Sequence, residues 1–144
     1  MASERIAVAS DHAGVGLKSV AAALLRELGF DVLDLGTSGP DSVDYPDFAE
    51  KMAAALKTGD AARGVLICGT GIGMSIAANR HRHVRAAHCA DVTDARLCRE
   101  HNDANVLTLG ARTMGEETAR DCIRTFLATP FEGGRHQRRV DKMS

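Results

Sequence analysis

Apolar residues occur along the chain in two alternating patterns, short continuous runs and stripes with helical spacing. The runs predict five β-strands, at residues 5–10, 32–35, 64–68, 85–89 and 106–109. The stripes predict helices over residues 15–28, from Pro46 onward, from Met74 onward, over 91–100 and over 115–128. Strands that alternate with helices predict an α/β fold: a three-layer, Rossmann-like domain whose five-stranded parallel sheet has helices on both faces.

The composition is that of one globular domain. The 144 residues are 44% hydrophobic and 26% charged, which is ordinary for a folded domain with a hydrophobic core. We therefore expect a single domain over residues 1–144, in which residues 131–144 form a basic C-terminal tail.

Charge and aromatic content argue against two classes of partner. The net charge is -1, so no overall field attracts nucleic acid or a membrane surface. Aromatic residues are 3% of the chain and Trp is absent, which argues against a base-stacking surface. The sequence shows neither a run of about 18 apolar residues nor a signal-peptide pattern. We expect a cytoplasmic protein without nucleic-acid or membrane partners.

The cysteine spacing gives no sign of a metal site or a disulfide framework. None of the four cysteines forms a Cys-x-x-Cys pair; they are Cys68, Cys89, Cys98 and Cys122. Two closely spaced pairs, His81 with His83 and Cys98 with His101, would each need distant ligands to hold an ion. We therefore expect no metal.

The third predicted strand ends at Cys68 and breaks into the glycine loop, Gly69-Thr70-Gly71-Ile72-Gly73. Alternating glycines free backbone N–H groups to face an anion, and the following helix start favours negative charge. Positive potential there favours a cysteine thiolate. Two other interpretations remain open, a turn that binds nothing and an inert cysteine. The spacing is neither that of a dinucleotide fingerprint nor that of a P-loop.

Polar residues follow three strands at the edge where parallel sheets bind ligands, their carboxyl edge. Asp11 and His12 follow the first strand, the glycine loop follows the third, and Arg112 follows the fifth. Taken singly, Asp11 is equally well explained as a helix N-cap and His12 as a solvated turn residue. Their convergence at one edge favours a site.

A second polar group falls at the opposite edge. His101 and Asn102 precede the fifth strand, and a strand of about five residues spans roughly 17 Å. Cys68 and His101 should therefore not meet within one chain, so His101-Asn102 either ends a helix or serves a partner's site. The segment 132–136 suggests a loop that presents an arginine, the alternative being a solvated basic end.

Seven motifs in the same order along nearly the whole chain resemble the ribose-5-phosphate isomerase type B family, which includes galactose-6-phosphate isomerase subunits. They are Ser10-Asp11-His12-Ala13-Gly14, Asp44-Tyr45-Pro46, Cys68-Gly69-Thr70-Gly71-Ile72-Gly73, Ala77-Ala78-Asn79, His101-Asn102-Asp103-Ala104-Asn105, Gly110-Ala111-Arg112 and Glu132-Gly133-Gly134-Arg135-His136.

The resemblance implies an aldose–ketose isomerase of phosphorylated sugars that needs no metal or cofactor. It also implies a homodimer or tetramer with shared active sites, in which the tail contacts a partner subunit. By position, Cys68 matches the C–H base and His101 the residue that opens the sugar ring. Thr70 is the third expected catalytic residue, and it lies with the substrate-binding residues Gly69, Gly71, Ile72 and Gly73 in the loop that binds the enediolate. The remaining matches are sugar contacts at Asp11, His12, Tyr45 and Asn102, and phosphate ligands at Arg112, Arg135, His136 and Arg139.

We expect interconversion of D-ribose 5-phosphate and D-ribulose 5-phosphate, a reaction of the pentose phosphate pathway. An isomerase of a tetrose 4-phosphate, allose 6-phosphate or galactose 6-phosphate is the nearest alternative, because the family motifs recognise the phosphate and the C1–C2 unit that all these sugars share. A non-catalytic phosphate or nucleotide sensor and a structural assembly subunit are alternatives of other classes. A sensor would need the glycine loop but not Cys68 together with His101.

Overall fold

The structure, a computed structural model, describes residues 3–144 as a central sheet between two layers of helices. Its strands are β1 (Arg5–Ser10), β2 (Asp31–Asp34), β3 (Arg63–Cys68), β4 (Ala86–His88) and β5 (Val106–Gly110). All pairings are parallel, in the order β2-β1-β3-β5-β4. The predicted fold class is confirmed.

In the part of the chain that the structure describes, six α-helices connect or follow the strands. They are α1 (Val15–Glu27), α2 (Tyr45–Thr58), α3 (Ile72–Ala78), α4 (Val92–Glu100), α5 (Glu116–Ala128) and α6 (Arg135–Met143). Asp91 caps α4 by accepting from the Asp94 N–H at 2.8 Å. Within residues 3–144, no helix has the length and apolar character needed to cross a bilayer.

The two faces of the sheet bury different halves of the core. Alternate residues of β1, β3 and β5, among them Val8, Ile67 and Leu109, pack against α1, α4 and α5. The residues between them, among them Leu66 and Cys68, pack against α2 and α3. Alternation along buried strands thus places Cys68 on the α2–α3 side of the sheet.

Residues 135–143 form a helix where the sequence predicts only a basic tail. Six of these nine residues have charged or amide side chains, so the sequence lacks an apolar stripe that would predict the helix. Tertiary packing compensates, because His136 and Val140, one turn apart, are 8% and 4% exposed. The preceding turn uses Gly133 and Gly134 at positive φ.

Backbone hydrogen bonds draw the carboxyl ends of three strands into one unit. The Asp11 N–H donates to the Ile67 carbonyl at 3.2 Å, and the Ala111 N–H to the Cys68 carbonyl at 2.9 Å. The Arg112 N–H donates to the Gly69 carbonyl, also at 2.9 Å. The segments after β1, β3 and β5 are therefore immediate neighbours.

Candidate active site

The glycine loop holds the Cys68 sulfur against a backbone donor. Cys68 is 4% exposed at the end of β3, and the Gly71 N–H points at its Sγ over 3.2 Å. Gly71 has φ +82°, a conformation that L side chains rarely adopt. The Thr70 hydroxyl oxygen accepts from the Ile72 N–H at 3.2 Å, which leaves the hydroxyl proton free to donate elsewhere. A donor aimed at sulfur favours the thiolate over the thiol.

The glycine loop also admits side chains that would otherwise be excluded. A Cβ on Gly73 would lie 2.6 Å from the Tyr45 ring, so this glycine lets the ring rest on the loop. Tyr45 is 39% exposed at the start of α2. Its phenol therefore lies at the surface beside the loop, available to a ligand.

Asp11 and His12 are both held at the carboxyl edge. The Asp11 carboxylate accepts from the Ala13 N–H at 3.0 Å and caps the short 3₁₀ turn His12–Gly14, as the N-cap interpretation predicts. His12 Nδ1 accepts from the Val43 N–H at 3.2 Å. That bond places the neutral ring's proton on Nε2, which can donate to a bound hydroxyl.

Arg112 brings a positive charge to the glycine loop. Its Nη1 lies 3.3 Å from the position that a Cβ on Gly69 would take, and the side chain is exposed. A larger residue at position 69 would displace the guanidinium. The charge and the loop N–H groups together favour an anionic ligand at this edge.

At the opposite edge, two imidazoles stack beside a carboxylate. The rings of His101, which ends α4, and His136, in the first turn of α6, lie 4.4 Å apart at an interplanar angle of 17°. His101 Nε2 is 3.7 Å from Glu132 Oε1, and the Glu132 N–H donates to the Glu100 carbonyl at 3.1 Å. Desolvation, followed by the nearby His101 and Arg135, lowers the pKa of His136 from its ordinary value.

A cavity of about 240 Å³ opens in front of these residues. Its lining includes Glu132, Arg135 and both imidazoles. Ligand atoms of His101, Glu132 and His136 all lie within 4.8 Å of one another, a grouping that the sequence does not predict as a metal site. The Arg135 charge in the same cavity opposes a cation and suits a phosphate.

The structure does not bring all predicted site residues together in one chain. Asp11, His12, Tyr45, the glycine loop and Arg112 share the carboxyl edge, whereas His101, Arg135, His136 and Arg139 lie at the other. Asn102 is exposed and faces a separate cavity of about 370 Å³ that is lined also by Asn79 and Met143.

Two of the other three cysteines, Cys89 and Cys122, lie in environments that raise the pKa of their thiols. Burial raises the pKa of the Cys122 thiol to about 11. The Cys98 sulfur, 3.9 Å from that of Cys89, and burial raise the pKa of Cys89. Cys68 differs from both because a backbone N–H faces its sulfur.

One contact to the glycine loop is missing from the sequence motifs. His88, the last residue of β4, has its Nε2 2.8 Å from the Thr70 carbonyl oxygen. The sequence does offer one sign that His88 lies near the site, since it is a polar residue near the carboxyl end of a predicted strand. Only the sheet order, which places β4 beside β5, shows that it reaches the loop.

The family model for ribose/galactose isomerases matches residues 6–143. The chain belongs to this family. It is 43% identical over 141 residues to the ribose-5-phosphate isomerase B of Escherichia coli, with 98% of this chain and 95% of the relative covered. The predicted family and the predicted enzyme class, a sugar-phosphate isomerase, are confirmed.

Solved structures of this isomerase family share the fold across nearly the whole chain. The ribose-5-phosphate isomerase B of Clostridium thermocellum gives a TM-score of 0.95 at 50% identity, covering 96% of this chain and 94% of that chain. The type B ribose 5-phosphate isomerase of Trypanosoma brucei gives 0.95 at 42% identity, covering 98% and 97%.

Proposed function

We propose that this isomerase interconverts D-ribose 5-phosphate and D-ribulose 5-phosphate through an enediolate. The observation that carries the proposal is the Cys68 sulfur, held 3.2 Å from a glycine-loop N–H with Arg112 beside the same loop. The printed names of the relatives, ribose-5-phosphate isomerases B, support this choice of substrate.

The reaction begins with opening of the furanose ring by His101. An imidazole can take the proton of the C1 hydroxyl and give one to the ring oxygen. His101 is partly exposed, so a substrate can reach its ring. Asn102 follows His101 in the chain but lines the separate cavity of about 370 Å³, so we assign it no contact with the ring that His101 opens.

The Cys68 thiolate then removes the proton from C2 of the open-chain aldose. The electron pair of that C–H bond forms the C1–C2 double bond, and the C1 carbonyl oxygen becomes the enediolate oxygen. We assign the stabilisation of this oxygen to the Thr70 hydroxyl, whose proton is free to donate, and to first-turn N–H groups of α3. After a proton passes from O2 to O1, the Cys68 thiol returns its proton to C1 and the ketose forms.

The far end of the substrate is held by its phosphate. Arginine forks bind phosphate oxygens with two parallel hydrogen bonds, which fixes both position and orientation. We assign this role to Arg112, Arg135, His136 and Arg139. Binding energy from the phosphate then serves to hold C2 at the Cys68 sulfur.

This assignment requires two chains at each site. The glycine loop and His101 lie at opposite edges of the sheet, so one chain supplies the base and a second supplies the ring opener. Two exposed apolar residues on α3, Ile72 and Ile76, are 52% and 57% exposed one helical turn apart. Together they form a small apolar surface beside the loop, which a second chain would cover in the proposed homodimer.

The number of carbon atoms in the preferred substrate can be tested by measuring the turnover of a panel of several sugar phosphates. The panel contains a tetrose 4-phosphate, ribose 5-phosphate, allose 6-phosphate and galactose 6-phosphate at matched concentrations. We expect the highest kcat/KM for ribose 5-phosphate. This sugar is the substrate in the relatives' names, and a site built for it holds the phosphate at the matching distance from C2. A higher value for a four- or six-carbon sugar would transfer the assignment to that sugar, and no turnover of any would favour a phosphate-ligand sensor.

A further inference from the structure

One histidine outside the motifs contacts the glycine loop and is linked through it to the sulfur. His88 Nε2 lies 2.8 Å from the Thr70 carbonyl oxygen. Thr70 and Gly71 share one peptide unit, and its N–H points at Cys68 Sγ over 3.2 Å. A single peptide therefore has His88 at its oxygen and the Cys68 sulfur at its N–H.

We propose that His88 is a positioning residue for Cys68, which acts through the Thr70–Gly71 peptide to aim the N–H at the sulfur. Its effect on turnover rests on the proposed function, because it assumes that Cys68 is the base. Its effect on the sulfur does not, because the contacts alone predict it.

The first physical reason is orientation. A loop peptide can rotate about its flanking bonds, and a half-turn would exchange the N–H for the carbonyl oxygen beside the sulfur. That oxygen would repel a thiolate, whereas the N–H stabilises it. A hydrogen bond from His88 Nε2 to the oxygen keeps it on the side away from Cys68.

The second reason is polarisation. A donor on a peptide oxygen strengthens the N–H of the same peptide as a donor, by about 10–30% in condensed-phase estimates. The bond needs a proton on Nε2, which the Nε2–H tautomer and the charged ring both provide. His88 thus supports the N–H···sulfur contact in either of these forms.

Close packing keeps the ring in this place. A Cβ on Gly71 would meet His88 Cδ2 at 2.8 Å, so the ring rests on the glycine itself. The ring also lines a cavity of about 190 Å³ with Thr70, Cys89 and Thr113. The position of His88 is therefore set by the loop that it supports.

The test compares His88→Leu, which removes the donor, with His88→Gln, whose side-chain amide can replace it. The control is His83→Leu, since His83 Nε2 also contacts a backbone carbonyl, that of Ala53, at 2.7 Å but away from the loop. The measurement is the rate of Cys68 alkylation by iodoacetamide against pH. Mass spectrometry of peptides separates Cys68 from the other three cysteines.

We expect the midpoint of the Cys68 alkylation profile to rise by about half a pH unit or more in His88→Leu. His88→Gln and His83→Leu should keep the wild-type midpoint. The titratable and charged groups around the glycine loop are the same in all three variants: Asp11, His12, Tyr45 and Arg112. The shift therefore reports on position 88 alone.

An unchanged midpoint in folded His88→Leu would overturn the proposal, and so would an equal shift in His83→Leu. If His88→Leu does not fold, His88→Asn replaces it, because its shorter amide does not reach the Thr70 oxygen. If the Cys68 alkylation profile shifts but the protein isomerises no sugar phosphate, the positioning role of His88 stands and the proposed function is wrong. These two failures are thereby distinguished.

Discussion

The two edges of the sheet carry different halves of the proposed chemistry on different kinds of structure. At the carboxyl edge, Cys68 continues directly from a buried strand and is fixed by backbone bonds from the segment after β5. At the amino edge, His101 and His136 come from the end of one helix and the start of another, held by stacking and by a loop. One half is built on the core and the other on the surface.

A carbon base and a phosphate ligand need different structural support. A carbon base must meet a single C–H bond, so it gains from the rigidity of a strand end. Phosphate ligands act through long side chains that adapt to a charged group, so a surface helix is sufficient for them. Roughly 17 Å separates the ends of a five-residue strand, so the proposed chemistry requires the two edges to come from different chains.

The largest expected effect is loss of the base at the carboxyl edge. Cys68→Ala should lower kcat by about 100-fold or more, because no other group replaces the proton acceptor. Binding of a phosphate ligand, measured by calorimetry, should persist. Cys122→Ala, a change in the core, is the matched control and should keep its turnover per folded molecule. Near-normal turnover by Cys68→Ala would make Cys68 a packing residue.

The next prediction joins the two edges. Cys68→Ala and His101→Asn proteins should each be nearly inactive alone. After joint unfolding and refolding, random dimers should recover about a quarter of wild-type activity, because half are heterodimers and each has one intact site of two. The measurement is specific activity, with exchange shown by mass spectrometry of a tagged chain.

Self-mixed samples of each variant are the control for this refolding and should stay inactive. No recovery despite proven exchange would mean that both residues act within one chain or that His101 has no catalytic role.

The third prediction compares arginines across the two edges. Arg112→Ala, Arg135→Ala and Arg139→Ala should each raise KM by about tenfold or more, because each loses a charged hydrogen bond to phosphate. Arg138→Ala removes the same charge from α6 and should change KM by about twofold at most. Steady-state kinetics give these values. If Arg138→Ala raised KM equally, the overall positive charge of α6 would account for phosphate binding, and not Arg135 and Arg139 in particular.

A smaller effect concerns pH and the amino edge. The pKa of His136 is lowered in the folded protein from its ordinary 6.5, so the unfolded chain binds the proton more readily. Its contribution to stability is present above 6.5 and is lost as the pH falls below that value. His136→Gln should therefore show a smaller drop in melting temperature between pH 8 and pH 5.5 than the wild type, as measured by calorimetry. Equal drops in melting temperature for the two proteins would show that His136 does not cause the loss of stability at low pH.

The smallest expected effect is that of a chelator. Incubation with EDTA should leave turnover unchanged, because the proposed chemistry uses a thiolate, an imidazole and arginines. Activity before and after dialysis is the measurement. A loss restored by zinc or magnesium would instead make His101, Glu132 and His136 metal ligands.

Much of the fold could be predicted because each signal was local. Alternating apolar runs and stripes indicate the strands and the first five helices to within two residues. The helix α3 begins two residues before its predicted start because Gly71 takes a left-handed conformation that caps it. The helix α6 was not predicted, because its only buried residues, His136 and Val140, gain their burial from tertiary contacts.

The site divides in the same way. The glycine loop, the cysteine before it and the separation of Cys68 from His101 can be predicted from the sequence, because strand direction and connection order follow from the chain. Three contacts are visible only in the folded molecule: Arg112 lies beside Gly69, the His101 and His136 rings stack, and His88 bonds the Thr70 carbonyl. Those contacts depend on the lateral order of the strands and on packing between distant segments, which no local pattern of apolar and polar residues encodes.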